Sequence, residues 1–440
     1  MGNGEKGGRF AAVLCLLPAL YLIAIVIYAV LNSAEYASGI ARITRYVLVP
    51  GFMALCLLFV ALRVKGDTRL VVGICASSLF ATLFAFEAYL TVKSLPARLG
   101  MFGVVSETTE TGQFRQNIPP AYTIKRLNNE KGIQTLDTAM LSPLTEGDIF
   151  LCSLNGQPVS YQPDRYGFRN PDTVHDGDID VMLLGDSFAE GFCLEDGHDL
   201  ASQLRKDIPQ LMNTGHRGAG PLFELAVLGR YGPYFKPDVT VMAFFAGNDW
   251  KNLQREEEMP WLAPALEPGT DFGVIARSGP QIEAARQHMD QWWDGTTLSW
   301  RDYLRKQRVF RNFFALQKTT EVMGLHYPKA AEPNPVYGQV LKRAAEMVEQ
   351  WDGELVVVYI PTISRFVGML PQDFVHDPLR NMVRDAATQA DLQMIDLTEV
   401  FEAADEPRLM YAADAHFNEK GATVAAETIV RSLRQRGLLN

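Results

Sequence analysis

At 440 residues, with 48% hydrophobic and 21% charged side chains, the chain is long enough for more than one domain and too apolar to be mostly disordered. A formal net charge of -10 without a basic stripe argues against a nucleic-acid partner. The five cysteines form no CxxC pair and no Cys/His cluster at ligand spacing, so no metal site is expected, and no motif calls for a cofactor.

Apolar residues concentrate at the start, in runs at about 10–31, 46–62 and 70–92. Each is close to the roughly 20 residues a helix needs to cross a bilayer, and Glu87 is the one charged residue inside them. Buried core helices would not come three in succession with so little charge. A cleaved signal peptide would have a shorter apolar core, of about 7 to 15 residues. Lys6 and Arg9 precede the first run, and Arg63, Lys65 and Arg69 follow the second, whereas only Arg42 and Arg45 lie between the first two. The positive-inside bias then puts the N-terminus in the cytoplasm and everything after Val92 across the inner (cytoplasmic) membrane, in the periplasm or outside the cell. Residues 1–93 are thus expected to form a membrane anchor.

From 94 to 149 the sequence is polar and irregular, with Pro96, Pro119, Pro120 and Pro143, and reads as a linker and lead-in segment. Short apolar runs then alternate with helical patterns. They are Val181 to Leu184, Leu211 to Asn213, Val239 to Phe245, Leu355 to Ile360 and Met394 to Leu397, and the last helix covers Lys420 to Leu438. This rhythm predicts an α/β domain over 150–440, an open doubly wound parallel sheet of flavodoxin-like type. The rhythm stops between about 250 and 335, which reads as an insertion at the carboxyl end of the third strand, the edge where such sheets bind ligands. Trp250, Trp261, Trp292, Trp293 and Trp300 fall in it. They could stack against a sugar or acyl ligand or simply pack a small subdomain.

Four motifs carry chemistry. Val181-Met-Leu-Leu-Gly-Asp-Ser-Phe-Ala-Glu-Gly191 runs an apolar strand into a serine at the start of a helix, where a hydroxyl and a free N–H would both be presented. Alone, such a serine is more often a helix cap. Three further blocks follow in order, each beside a predicted strand or helix: Asn213-Thr-Gly-His-Arg-Gly-Ala-Gly220, Ala246-Gly-Asn-Asp249 and Asp414-Ala-His-Phe-Asn-Glu-Lys-Gly421.

On these blocks the chain resembles the SGNH/GDSL hydrolase superfamily, over roughly 180–249 and 337–440. The resemblance implies Ser187 as nucleophile, His416 as its base and Asp414 as the carboxylate partner. It also implies an oxyanion hole made by the Ser187 and Gly218 backbone N–H groups and the Asn248 amide. The chemistry is coherent without the family, because a serine hydroxyl becomes nucleophilic only when an imidazole takes its proton and a carboxylate holds the ring. Two positions depart from the usual pattern. Ala413 stands where many members have the carboxylate, leaving Asp414 two residues before the histidine, a spacing found in the branch that acetylates bacterial exopolysaccharides. Ala246 replaces the first glycine of a GxND block, at a turn.

Tyr161-Gln-Pro-Asp-Arg-Tyr-Gly-Phe-Arg-Asn170 resembles an arm that precedes the serine block in membrane-associated SGNH proteins. Arg169 in it suits a salt bridge that ties the arm down better than an anion site. His216 and Arg217 are expected near the substrate, and Asp249 as a turn residue. Cys15, Cys56 and Cys75 lie in the apolar runs, so Cys152 and Cys193 are the two thiols of the exported part. An oxidising compartment would join them in a disulfide between the arm and the loop after the serine helix, the alternative being two buried free thiols.

These readings point to a membrane-anchored serine ester hydrolase acting on O-acyl esters of an envelope saccharide or lipid. One alternative is an O-acyltransferase that modifies an envelope polysaccharide and needs an acyl-donor membrane protein. Another is a non-catalytic SGNH-like module that binds glycan. A dinucleotide site is disfavoured, since Gly215, Gly218 and Gly220 follow the second strand rather than the first. The topology is testable: alkaline phosphatase fused after Lys93 should be active. An inactive fusion there, with a cytoplasmic reporter active at the same site, would overturn the span count and the location together.

Overall fold

The computed structural model describes residues 3–37, 39–103, 121–130, 135–142, 148–154, 157–275, 304–305, 308–327, 329 and 331–439, with Glu283 and Gln287. It divides into two compact units. One comprises Met1–Pro96, Ser299–Ala331 and Val367–Pro378; the other comprises Ala97–Leu298, Glu332–Phe366 and Leu379–Asn440.

The first unit is built on helices α1 (Asn3–Leu31), α2 (Val49–Arg63) and α3 (Asp67–Gly103). A short helix, Ile40–Ile43, and a π turn, Thr44–Leu48, lead into α2 without a break. Three stretches are long and apolar enough to cross a membrane: Gly7–Leu31, Ile40–Arg63 and Asp67–Ser94. They outrun the apolar runs of the sequence because helix continues through the polar flanks. Small residues let the helices approach closely. A Cβ on Gly73 would lie 2.9 Å from Leu14 Cβ and 3.0 Å from the Ala11 carbonyl oxygen. Large apolar side chains such as Leu17, Phe59 and Val71 face outward instead. Residues far along the chain complete the unit, including the short helices Val309–Phe314 and Gln317–Met323.

In the second unit, α4 (Ala121–Glu130) precedes an antiparallel hairpin of β1 (Ile149–Leu154) and β2 (Gln157–Tyr161). Then come β3 (Val181–Leu184), α5 (Ser187–Glu190), α6 (Leu200–Leu204), β4 (Leu211–Asn213), α7 (Pro221–Phe235), β5 (Val239–Phe245) and α8 (Asp249–Glu256). After them follow α9 (Pro335–Val348), β6 (Glu354–Ile360), α10 (Asp373–Gln389, of which Leu379 onward belongs to this unit), β7 (Gln393–Asp396), α11 (Leu397–Glu402) and α12 (Glu419–Gln435).

The five later strands form a parallel sheet in the order β4-β3-β5-β6-β7. That is the flavodoxin-like order, whose direction reverses between its first and third strands, here β3 and β5. Alternate residues of the central strands, Val181 and Leu183, Val239 and Val241, and Val356 and Val358, pack with α6, α11 and α12 in one core. Their neighbours point the other way, where Phe244 meets Tyr337 of α9 at 5.2 Å between rings. Burial on both faces is why these strands are unbroken apolar runs.

Helix α4 lies in the stretch that the sequence offers as a linker. Ile124 and Leu127 are fully covered, and Asn128 exchanges hydrogen bonds with the Met140 backbone at 2.9 and 3.1 Å. Arg230 gathers the carbonyls of Ala139, at 2.7 Å, and Phe272, at 2.6 Å. Cys152 of β1 and Cys193 after α5 are joined in a disulfide, with their Cα atoms 5.4 Å apart. Trp250 and Trp261 of the insertion are buried, the latter donating to Asn129 Oδ1 at 2.7 Å. Trp292, Trp293 and Trp300 lie outside the described residues.

Candidate active site

The loops that leave β3 and β5 at the reversal point carry Ser187 and Asn248. Asp186 caps α5 by accepting the Phe188 N–H at 2.9 Å, which fixes Ser187 as the first residue of the helix. Ser187 Oγ lies 2.8 Å from His416 Nε2 and 3.3 Å from Asp186 Oδ2. On the far side of the ring, His416 Nδ1 is 2.8 Å from Asp414 Oδ2, and the His416 backbone N–H donates to Asp414 Oδ1 at 3.3 Å. Ala415 sits between them in the left-handed region, with φ of 76°. This turn brings a carboxylate only two positions earlier onto the imidazole. Phe188 and Phe192 flank the ring, with centroids 5.2 and 4.6 Å away.

Donors stand beside this chain of hydrogen bonds. Gly218 has φ of 80°, a conformation cheap only for glycine. Among the described residues, neither its N–H nor that of Ser187 donates to another group. The Asn248 side chain stands close enough to Asp186 to favour its charged form. Ser187, Gly218, Asn248 and His416 share one cavity of about 510 Å³ with Lys125, Arg126, Phe192, Arg217 and Arg255.

The structure separates the two neighbours in the second motif. Arg217 reaches the cavity wall, but Glu190 Oε2 holds its Nε at 2.9 Å and its Nη1 donates to the Phe150 carbonyl at 3.0 Å. His216 is buried and does not line the cavity. Arg169 ties down the arm, donating to the Gly191 carbonyl at 2.8 Å and to Asp196 Oδ1 at 2.7 Å.

Lys125 is a site residue that reading the sequence missed. From α4 its ammonium donates at 2.7 Å to the Gly218 carbonyl and at 2.7 Å to Glu256 Oε1. The other Glu256 oxygen accepts the N–H groups of Leu222 and Phe223, each at 3.2 Å, at the start of α7. The helical spacing of Ile124, Leu127 and Asn128 was the available signal, short and set among prolines.

A hydroxyl, an imidazole and a carboxylate in one line can pass a proton to the ring as the oxygen attacks a carbonyl, and adjacent N–H donors can take up the charge that develops. The sequence model of the GDSL-like Lipase/Acylhydrolase family matches residues 183–424. The chain belongs to this family. No curated protein matches it. Solved structures similar to this acylhydrolase include TesA, at 13% identity and a TM-score of 0.33, covering 59% of this chain and 99% of that one. Another is a lipase/acylhydrolase from Enterococcus faecalis, at 14% identity and a TM-score of 0.32, covering 59% and 97%. A third is the psychrotrophic esterase EstA from Pseudoalteromonas sp., at 10% identity and a TM-score of 0.31, covering 58% and 98%.

Behind the site of this acylhydrolase lies an acidic group without solvent. Asp249 accepts the Phe245 N–H at 2.6 Å, and burial, reinforced by Asp186 and Glu224, pushes its carboxyl well above the usual range. Burial raises Glu224 in the same direction, with Asp186 and Glu256 adding to it. A carboxyl raised in the folded state holds a proton that the unfolded chain has already lost. Its contribution is complete below the ordinary carboxylate range and disappears as pH rises through the raised value. Thermal unfolding of the purified protein from about pH 5 to about pH 9 should therefore show stability falling toward the alkaline end. Glu224→Gln and Asp249→Asn, which need no proton, should flatten that slope; a slope unchanged in both variants would refute the assignment.

Proposed function

We propose that the protein is a membrane-anchored serine esterase that cleaves O-acyl esters of a cell-envelope saccharide or lipid through an acyl-enzyme. The observation that carries this reading is the pair of 2.8 Å contacts from Ser187 through His416 to Asp414, beside N–H donors with no other partner among the described residues. His416 takes the Ser187 proton as Oγ attacks the ester carbonyl and returns it to the leaving alcohol. Water then repeats the sequence to release the acid. The Ser187 and Gly218 N–H groups and the Asn248 amide stabilise the tetrahedral oxyanion. Asp414 holds the ring and stabilises its charged form. No metal or cofactor takes part in these steps.

Anchoring supports an envelope substrate. An enzyme on a soluble ester gains little from three spans, whereas one acting on lipid-linked or nascent glycan gains from tethering, which raises its effective concentration. Glu256 and Glu190 neutralise Lys125 and Arg217, while Arg255 is exposed on the cavity wall, which suits an anionic saccharide or headgroup. We place the N-terminus in the cytoplasm and the hydrolase unit beyond the inner membrane, on the Lys/Arg asymmetry of the short loops.

A fluorophosphonate should label Ser187, and Ser187→Ala and His416→Ala should each remove nearly all turnover of a short p-nitrophenyl ester. Asn248→Ala should fold and still acylate, slower by about 100- to 1000-fold, the value of one oxyanion donor. Labelling that survives Ser187→Ala would sink the assignment. Partitioning distinguishes hydrolysis from transfer, since both use one acyl-enzyme. With an activated acetyl ester and rising glycan acceptor, an esterase keeps releasing acetate at a constant share. Diversion of most acetyl to the glycan would instead make the protein an O-acyltransferase.

A further inference from the structure

We propose that residues 309–323 re-enter the membrane and, with the three spans, enclose a site for one hydrocarbon chain of an anionic lipid. This rests on reading the three long helices as membrane spans.

The first observation is Glu87, the one charged residue inside the apolar runs. It is completely buried, and its two carboxylate oxygens accept the N–H groups of Lys318, at 3.0 Å, and Thr319, at 2.7 Å. A carboxylate at this depth needs partners from protein, and the first turn of the helix Gln317–Met323 supplies them. That helix must therefore lie at the depth of Glu87. Two more contacts agree. Tyr21 Oη, midway along the first span, donates to the Phe314 carbonyl at 2.8 Å, and the rings of Phe84 and Phe313 are 5.7 Å apart. The third span ends at Ser94, so Glu87 and Phe84 lie roughly 10 and 15 Å inside it at the rise of an α-helix.

The first unit takes in two excursions from later in the chain, Ser299–Ala331 and Val367–Pro378, and their outer surface has the matching character. Phe310, Phe314 and Val322 are exposed, as are Met369, Leu370 and Phe374 of the second excursion. A surface this apolar is costly in water and ordinary in lipid.

Between the excursions and the spans lies a cavity of about 680 Å³, whose walls include Tyr28, Met53, Phe80, Leu83, Leu316 and Met323. Its volume falls within the range of about 300–1,000 Å³ typical of small-molecule sites. A peptide would bring backbone N–H and C=O groups that this wall cannot satisfy, whereas a hydrocarbon chain brings none. Arg45 also lines the cavity. Its Nε donates to the Leu325 carbonyl at 3.0 Å, and among the described residues no carboxylate pairs with it. It stands near the start of the second span, on the side to which three crossings deliver the rest of the chain. A lipid phosphate at Arg45 with its tail in the cavity uses both features.

The test uses the full chain in nanodiscs of phosphatidylcholine containing a small share of phosphatidylglycerol with a diazirine in one tail. After irradiation, adducts are mapped by mass spectrometry. They are expected on 315–323 and around Met53 and Phe80, with phosphatidylglycerol preferred over diazirine-phosphatidylcholine by about fivefold, as one cation near a headgroup allows. Arg45→Gln should erase the preference, and Ala315→Trp, or Ala41→Trp if the first fails to fold, should remove the cavity adducts. Adducts confined to outward-facing Leu17, Phe59 and Val71 would overturn the cavity site while leaving the spans intact. Absence of adducts from all three helices would overturn the site because the membrane reading itself had failed.

Discussion

A carboxylate shut away from water must find its hydrogen bonds in protein, and Asp186 finds them at the start of the serine helix. It caps that helix through Phe188 and takes a bond from the Ser187 hydroxyl, and the Asn248 side chain lies close enough to favour its charged form. Burial raises its pKa, and these bonds, with the charge of a protonated His416, pull against the rise. Removing that one side chain would free the start of α5.

The second constraint is that the loop after β4, which carries Gly218, has little regular structure of its own. Residues 214–220 are held by side chains that arrive from elsewhere: Asn213 through the Gly215 N–H at 2.8 Å, Glu190 through the Arg217 N–H at 2.8 Å, Asn252 through the Ala219 carbonyl at 3.0 Å and Lys125 through the Gly218 carbonyl. Packing limits the loop as well, since a Cβ on Gly215 would lie 2.4 Å from Ala189 Cβ. Glu256 links the loop to the next helix by binding Lys125 on one oxygen and two N–H groups of α7 on the other. The arm that precedes the sheet acts similarly, with Asn170 bonding to Asp164 at 2.7 Å and to the Asn213 carbonyl at 2.9 Å.

How much of this could be read in advance follows from the kind of force that fixes each part. The sheet was legible because β3, β5 and β6 are buried on both faces, which leaves apolar runs that few other structures produce. The serine, glycine and asparagine blocks were legible because each sits where a strand meets a loop, and the histidine block because it opens the last helix. Helix α4 was not, since two apolar residues and a set of side-chain bonds to backbone leave almost no periodic trace. Glu87 shows the same limit from the other direction. The sequence exposes it as a charge in an apolar run, but its partners are Lys318 and Thr319, more than two hundred positions later, and no local pattern connects them.

The two excursions into the first unit both interrupt the α/β domain after strands, one after β5 and its helix α8, the other after β6. Loops that leave the carboxyl ends of strands can lengthen without disturbing the ladder, so this is where a doubly wound sheet accepts insertions. Each excursion must still leave and return within the span of its loop, which ties its ends to the sheet whatever its middle contacts. Within the first unit the two segments also bind one another, the Met369 N–H donating to the Val322 carbonyl at 3.1 Å. A Cβ on Gly368 would lie 2.4 Å from Gly324 Cα, so the two backbones meet where neither residue has a side chain. The first unit is therefore completed by chain that belongs, in sequence, to the α/β domain. Neither unit could be cut from the other at residue 96 without removing part of the first.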